Sequence, residues 1–431
     1  MVWVFFIGGL IITAAAAAPL GVGLALTGLV ILEFMLGGAT SLAFTAVWNV
    51  FNEFTLSAVP LYILMGEIML RSGISTRVYT ALAPLFLKIP GQLLHTNIAV
   101  CTLFGAVSGA SMSTAAAVGT VAYPELRTRG YHKPLIVGTL AAGGTLGLLI
   151  PPSLSLLLYG ATQGVSISKL FLAGIIPGLL LALGFSIVIG MIALRRPERV
   201  PNAETTDALP WSIILRRAVG IWPLFLLIFA VLGTIYMGLA TPTEAAGLGV
   251  FTAVIIGVLW GDLTGSKLIE ALVGATRTFG AVLFVAVGAL ILAQAISALG
   301  IPRQIMSDLT LMELSPNMVL AGMVLIYLLL GCFFDGLSLL LMTVPVVFPV
   351  MVNMGFDPVW LGVIITICIE IGMLTPPVGA NLFVLTGITN GEVSLSSASV
   401  AALPFWFVLI GGIIVLTVFP GIVLFLPDLL S

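Results

Sequence analysis

Gly147-Leu148-Leu149-Ile150-Pro151-Pro152 and Gly372-Met373-Leu374-Thr375-Pro376-Pro377 each place a double proline inside a long apolar segment. Proline removes a backbone donor and clashes with the preceding helical turn. Hydrocarbon offers no water to satisfy the carbonyls that are freed. Two broken helices at matching places in the two halves of a membrane chain point to a substrate and ion site near the bilayer midplane.

The halves align without a gap at an offset of 225, which carries Pro151 onto Pro376. Ser113 then meets Ser338, Val121 meets Val346, Pro124 meets Pro349, Gly130 meets Gly355 and Gly147 meets Gly372. Tyr123/Phe348 and Tyr131/Phe356 are aromatic in both halves, and Gly73 meets Gly300 at an offset of 227. The matches concentrate in Gly and Pro, which record backbone geometry rather than surface chemistry. An internal repeat is expected.

The rest of the chain sets these segments in a bilayer. Of 431 residues, 60% are hydrophobic and 7% charged, and mean hydropathy is +1.26, far from a soluble domain. Apolar runs of about 20 residues, enough to cross the hydrocarbon, recur throughout, so the expected class is an all-α polytopic membrane protein. The run opening at Met1 has no basic leader and is expected to be a retained helix rather than a cleaved signal. Cys101, Cys332 and Cys368 stand singly, with no metal-binding spacing.

Positive charge sets orientation, because Lys and Arg are retained in the cytoplasm. Thirteen of the 15 can be placed on one side, leaving Lys169 and Arg303 opposite. Both termini are then expected to be periplasmic. Arg127-Thr128-Arg129-Gly130-Tyr131-His132-Lys133 is basic, whereas its counterpart from Val352 to Pro358 is not. Equivalent loops therefore face opposite sides, and the second copy is inverted. This holds if 92–126 and 318–351 are re-entrant hairpins, which leaves an odd number of crossings between the loops.

The expected organisation is a first inverted repeat at 1–194, with its hairpin at 92–126 and broken helix at 134–163. A polar cytoplasmic linker at 195–213 follows, carrying Arg195-Arg196-Pro197-Glu198-Arg199. The second repeat, 214–431, has its hairpin at 318–351 and broken helix at 358–388. Further helices are expected within 1–38 and at 46–70, 169–194, 214–238, 243–261, 279–298 and 398–426, with amphipathic pieces at 71–90 and 264–278.

Between Cys101 and Thr120 nearly every side chain is small, which suits close backbone approach and a hairpin tip at Ser108 to Ser111. The counterpart Phe333-Phe334-Asp335-Gly336 puts a carboxylate deep in an apolar run, a functional candidate by default. Unpaired peptide carbonyls at tips and breaks are hard ligands suited to Na+, and free N–H groups at half-helix N-termini attract an anion. Hydroxyls of Ser108, Ser111, Ser153, Ser155 and Thr375, with Asn381 and Asp335, are expected to complete the site. Glu370 either faces this cavity or pairs structurally, structural pairing is expected for Glu67 and Glu244, and His95 and His132 read as non-catalytic.

These residues resemble a known family, the large membrane (DctM-like, M) subunit of tripartite ATP-independent periplasmic (TRAP) transporters, within the ion transporter superfamily. The resemblance rests on Gly105 to Thr120, Pro124-Glu125-Leu126 with Gly130-Tyr131, Gly143 to Ser153, and Asp335 with Gly372 to Asn381. It implies an elevator fold, in which a scaffold holds a mobile transport domain made of two re-entrant hairpins and two unwound helices. It implies Na+ sites at Ser108, Gly109, Ser111 and the Gly147–Pro151 break, and at Phe334, Asp335, Gly336 and the Met373, Thr375 and Gly379 break, with substrate between them. It also implies Na+-coupled uptake of an organic acid across a bacterial or archaeal cytoplasmic membrane. The partners implied are a periplasmic substrate-binding protein and a small, roughly four-helix membrane subunit (Q), expected as a separate chain. No Gly-x-x-x-x-Gly-Lys-Ser/Thr motif is present.

Three other readings compete. A standalone Na+/dicarboxylate carrier of the same superfamily needs no binding protein. An intramembrane protease is invited by Ser108-Gly109 and Asp335, but requires a base within hydrogen-bond reach of the serine or a second intramembrane aspartate. A non-transporting scaffold subunit is the third.

Overall fold

The computed structural model describes residues 8–9, 18–201 and 219–430. The helix expected before residue 18, the linker beyond Pro201 and both chain ends lie outside the described residues.

Every regular element among the described residues is helical. In chain order the α-helices of seven or more residues are α1 (Leu20–Phe34), α2 (Ser41–Asn52), α3 (Ala58–Arg71), α4 (Ile74–Phe86), α5 (Leu93–Ser108), α6 (Ser111–Thr128), α7 (Lys133–Thr145), α8 (Leu154–Gln163) and α9 (Ile167–Arg195). Then come α10 (Trp222–Ile228), α11 (Pro242–Leu259), α12 (Gly265–Ala298), α13 (Ile301–Leu311), α14 (Pro316–Gly331), α15 (Gly336–Asn353), α16 (Pro358–Met373), α17 (Ala380–Ile388), α18 (Leu395–Val418) and α19 (Gly421–Leu430). Six described helices are long and apolar enough to cross a membrane by themselves, with α9, α12 and α18 the longest.

Few polar residues are available, and many are spent on helix starts. Ser166, Thr264, Ser315 and Ser394 each accept a bond from a backbone N–H three residues on. Thr241 and Glu244 form a reciprocal capping box. Each cap satisfies a donor that lipid cannot.

Three expected spans need correction. The helix expected at 46–70 is two: Glu53 is extended and its carboxylate takes the amide (3.2 Å) and hydroxyl (2.7 Å) of Thr55, so side-chain bonding replaces the helical ladder. The amphipathic piece at 264–278 and the helix at 279–298 are one 34-residue helix, α12. The last helix stops at Val418, because Pro420 forces Phe419 out of the helical region. Helix α13 was not anticipated.

Helix α12 packs along α1, α2 and α3, and α11 packs on α3. Gly28 lets α1 lie on the backbone of α12, since a Cβ there would come within 2.8 Å of the Leu292 nitrogen. Against this group stand α5 to α8 and α14 to α17, with α9 and α18 packed behind them. The order of elements recurs. Helix α4 leads to the hairpin α5–α6, then to α7, a break and α8, then to α9; α13 leads to α14–α15, then to α16, a break and α17, then to α18. Gly73 and Gly300, which start α4 and α13, share a left-handed backbone with φ of +72° and +70°.

Candidate functional site

Helix α7 tightens into a 3-10 turn over Leu146–Leu148, and the chain runs irregularly to Ser153 before α8 begins. The Ser153 hydroxyl bonds the Leu148 carbonyl and accepts from the Leu156 amide at 3.2 Å, so it seals both sides of the break. In the second half α16 ends at Met373 and α17 starts after Gly379, whose φ of +51° suits glycine. The Pro151–Pro152 and Pro376–Pro377 bonds are both cis.

Each break is covered by a hairpin tip from its own half. Gly109 turns α5 into α6 with φ +63°, and its carbonyl accepts from the Leu154 amide at 3.1 Å. Past α14, the Cys332 carbonyl accepts from the Val378 amide at 3.2 Å. Glycine pairs permit the approach: a Cβ on Gly105 would lie 2.7 Å from the Gly147 Cα, and one on Gly331 would lie 2.7 Å from the Gly372 Cα.

Tips and breaks converge on a cavity of 350 Å³. Ser108, Ser111 and Ser113 line it from the first hairpin, Asp335, Gly336 and Ser338 from the second, and Leu148 and Met373 from the breaks. The facing wall is α3 and α12, with Glu67 and Thr278 as its polar members.

The sequence candidates separate clearly. The Ser108 hydroxyl lies 2.6 Å from the Thr114 hydroxyl, which donates to the Ala110 carbonyl at 2.8 Å. Gly147 adjoins the same oxygens, because a Cβ there would lie 2.9 Å from the Thr114 Oγ1 and 3.1 Å from the Ala110 carbonyl. Pro151 is buried in the break, and Pro152 presents its carbonyl to Gly109. Asp335 caps α15, accepting from the Ser338 amide at 3.1 Å, with Phe334 half-buried beside it. Gly336 is packed against Ile369, Leu148 and Met373.

Of the seven expected polar side chains, Ser108, Ser111 and Asp335 line the cavity and four do not; Gly109, Gly147, Pro151, Phe334 and Gly379 also lie outside its lining. Ser153 is occupied as a cap, and Ser155 pairs with Thr366 at 3.0 Å. Thr375 donates to the Ile371 carbonyl at 2.6 Å and accepts from the Trp406 indole at 3.1 Å. Asn381 is fully buried behind Ser111 and bonded to it. Near Gly379 the nearest oxygen is the Thr375 carbonyl, 3.2 Å from where a Cβ would stand.

Glu67 both pairs with Arg71 at 3.1 Å and reaches the cavity wall. Glu370 does neither: it is fully buried, off the cavity, and its two oxygens have no hydrogen-bond partner. Thr114 was missed by the sequence reading, although its spacing of three from Ser111 on a helix start was a usable signal.

Hydroxyl and peptide oxygens make a hard donor set, the kind that suits an alkali cation and not a soft transition metal. Among the described residues no three of His, Cys, Asp and Glu cluster to hold a metal. His95 bonds the Pro90 carbonyl at 2.8 Å and His132 starts α7.

Residues 7–422 match the family model described as tripartite ATP-independent periplasmic transporter, DctM component. The C4-dicarboxylate TRAP transporter large permease protein DctM of Pseudomonas aeruginosa is 34% identical over 94% of this chain and 93% of its own. The sialic acid TRAP transporter large permease protein SiaM of Vibrio cholerae is 31% identical over 96% of both chains. The isethionate TRAP transporter permease protein DctMQ of Oleidesulfovibrio alaskensis is 30% identical over 94% of this chain and 63% of its own. In fold, the chain is similar to the crystal structure of the YdaH transporter of Alcanivorax borkumensis, with TM-score 0.64, 16% identity and 89% of each chain covered. With this match along nearly its whole length, the chain belongs to the DctM family of TRAP large permeases, multi-pass transporter subunits of the inner membrane and not enzymes.

Proposed function

We propose that this chain is the transporting subunit of a Na+-coupled importer of organic acids, built as an inverted repeat and working by an elevator motion. The observation that carries the reading is the shared cavity on which both hairpin tips and both helix breaks converge. Two halves with the same order of elements meet there through equivalent glycine contacts. One Na+ would be held by Ser108, Gly109, Ser111 and the Gly147–Pro151 break, with Thr114 beside them. A second would be held by Phe334, Asp335, Gly336 and the backbone of Met373, Thr375 and Gly379. Substrate would lie between, against Ser108 and Ser111.

The substrates named for the relatives, a C4-dicarboxylate, sialic acid and isethionate, are all organic anions, which supports an acid as cargo. In the elevator motion the hairpins and broken helices would slide past α1 to α3, α11 and α12. Family membership supports a periplasmic binding protein and a small membrane subunit as partners. Placing the basic ends of α6 and α7 in the cytoplasm supports periplasmic termini.

Uptake of a panel of radiolabelled organic acids into proteoliposomes tests the reading, using this chain with its small membrane partner, with and without a Na+ gradient and binding protein. Uptake that requires both is expected. Uptake driven by Na+ alone would make the chain part of a standalone carrier, and uptake indifferent to Na+ would sink the coupling.

A further inference from the structure

Helices α6 and α17 come from different halves of the chain, yet they pack side by side, and the contacts Ser111–Asn381, Gly119–Leu385 and Tyr123–Glu392 advance together along both, so they run in the same direction. At the cavity end, the Ser111 hydroxyl donates to the Asn381 side-chain oxygen Oδ1 at 3.0 Å and accepts from the Asn381 side-chain nitrogen Nδ2 at 2.7 Å. Midway, Gly119 leaves room for Leu385 and Ile388 to lie on α6; a Cβ there would come within 2.5 Å of Leu385. At the far end stands Glu392. Its carboxylate accepts from the Tyr123 hydroxyl at 3.1 Å and pairs with Arg127 at 2.5 Å and Lys133 at 3.1 Å. It thereby ties the turn after α17 to both α6 and α7.

Helix α17 has nine residues, too few to be stable by itself. It hangs between two left-handed positions, Gly379 at φ +51° before it and Asn390 at φ +50° after it. Its axial position on α6 is therefore set by what holds its ends. One end is the Ser111–Asn381 pair and the other is the Glu392 cluster, about 18 Å away along α6 for the twelve residues from Ser111 to Tyr123 at 1.5 Å each.

We propose that Glu392 is a positioning residue for the transport site: its ion-pair cluster fixes the register of α17 on α6 and so holds the Asn381 amide on Ser111. The proposal rests on the reading above, in which Ser111 belongs to an ion site. Glu392 does not touch the cavity.

The test uses the full chain with its small membrane partner in detergent and Na+ alone as the probe, reading the Na+ concentration that gives half of the thermal protection. Glu392→Gln is expected to raise that concentration about threefold, the scale of a partly exposed ion pair. Asn381→Ala is expected to raise it as well, and the double variant to be no worse than Asn381→Ala alone. An unshifted value for Glu392→Gln, or effects that multiply in the double variant, would overturn the proposal. Should Glu392→Gln not fold, Arg127→Gln with Lys133→Gln removes the partners and is expected to give the same shift; no shift there overturns it too. Amide hydrogen exchange at residues 380–385 needs no Na+ response. Faster exchange in Glu392→Gln is expected, and unchanged exchange rejects the clamp even if the wild type ignores Na+, a result that would by itself count only against Na+ coupling.

Discussion

The side chains of Ser111 and Asn381 bond each other twice across the two halves of the chain, and Asn381 also donates to the Ala141 carbonyl at 3.1 Å. Asn381 is fully buried and Ser111 nearly so, so each is the other's substitute for water. Ser111→Ala should destabilise the protein by about 1–3 kcal/mol, because it strands a buried amide. Adding Asn381→Leu should recover part of that loss, since both partners are then apolar. Thermal unfolding of the single and double variants checks this, and a double variant less stable than Ser111→Ala contradicts it.

Gly331 and Gly372 are the points where the second hairpin touches its broken helix. Gly331→Ala would put a methyl group 2.7 Å from the Gly372 Cα, and forcing it in should cost about 1–3 kcal/mol. Gly322, on the same helix, has nothing within 4 Å of where a Cβ would stand, so Gly322→Ala should be neutral or slightly stabilising. Equal melting temperatures for the two variants would show that the contact is not tight.

Asp335 combines a structural role with a proposed ionic one, and two substitutions separate them. Asp335→Ala loses the cap of α15 and should cost about 1 kcal/mol as well as weakening Na+-dependent uptake. Asp335→Asn keeps a capping oxygen, so stability should hold while the Na+ requirement still worsens. Unchanged Na+ dependence in both would remove Asp335 from the second ion site.

Glu370 carries two buried oxygens without hydrogen-bond partners. Glu370→Met keeps the volume roughly and removes both, and should stabilise the chain by about 1 kcal/mol or more. A large loss of stability would mean that the carboxyl has a partner in the membrane.

Glu392 gives a pH signature. The Lys133 ammonium, with help from the Tyr123 hydroxyl and Arg127, holds its carboxyl below the usual carboxylate range. A depressed value means that its contribution is complete above the ordinary carboxylate pKa, about 4.3 for Glu, and fades as pH falls through the lowered value. The difference in melting temperature between wild type and Glu392→Gln should be constant from neutral pH down to that range and shrink on further acidification. A difference that grows with acid would reverse the sign of the argument.

Much of the site was legible because it is written in backbone-determining residues. Pro151, Pro152, Pro376 and Pro377 end helices whatever surrounds them, and Gly109 and Gly379 mark chain positions that few other residues adopt. Hydroxyls were harder to place. Ser108 and Ser153 look equivalent in sequence, but one lines the cavity and the other caps a half-helix. A serine is content with either role, so its type does not decide its direction.

The sequence by itself determined the class of protein, the positions of its two helix breaks and its family, because hydropathy and helix breaking act over a few neighbouring residues. Only the tertiary structure decided that Asn381 bonds Ser111 and that Glu392 meets Arg127 and Lys133. It also set Glu67 in the cavity wall and left Glu370 without a partner. The Asn381 and Glu392 contacts join residues up to 270 positions apart, and they depend on how α6 and α17 are laid against each other, which no local pattern in either helix specifies.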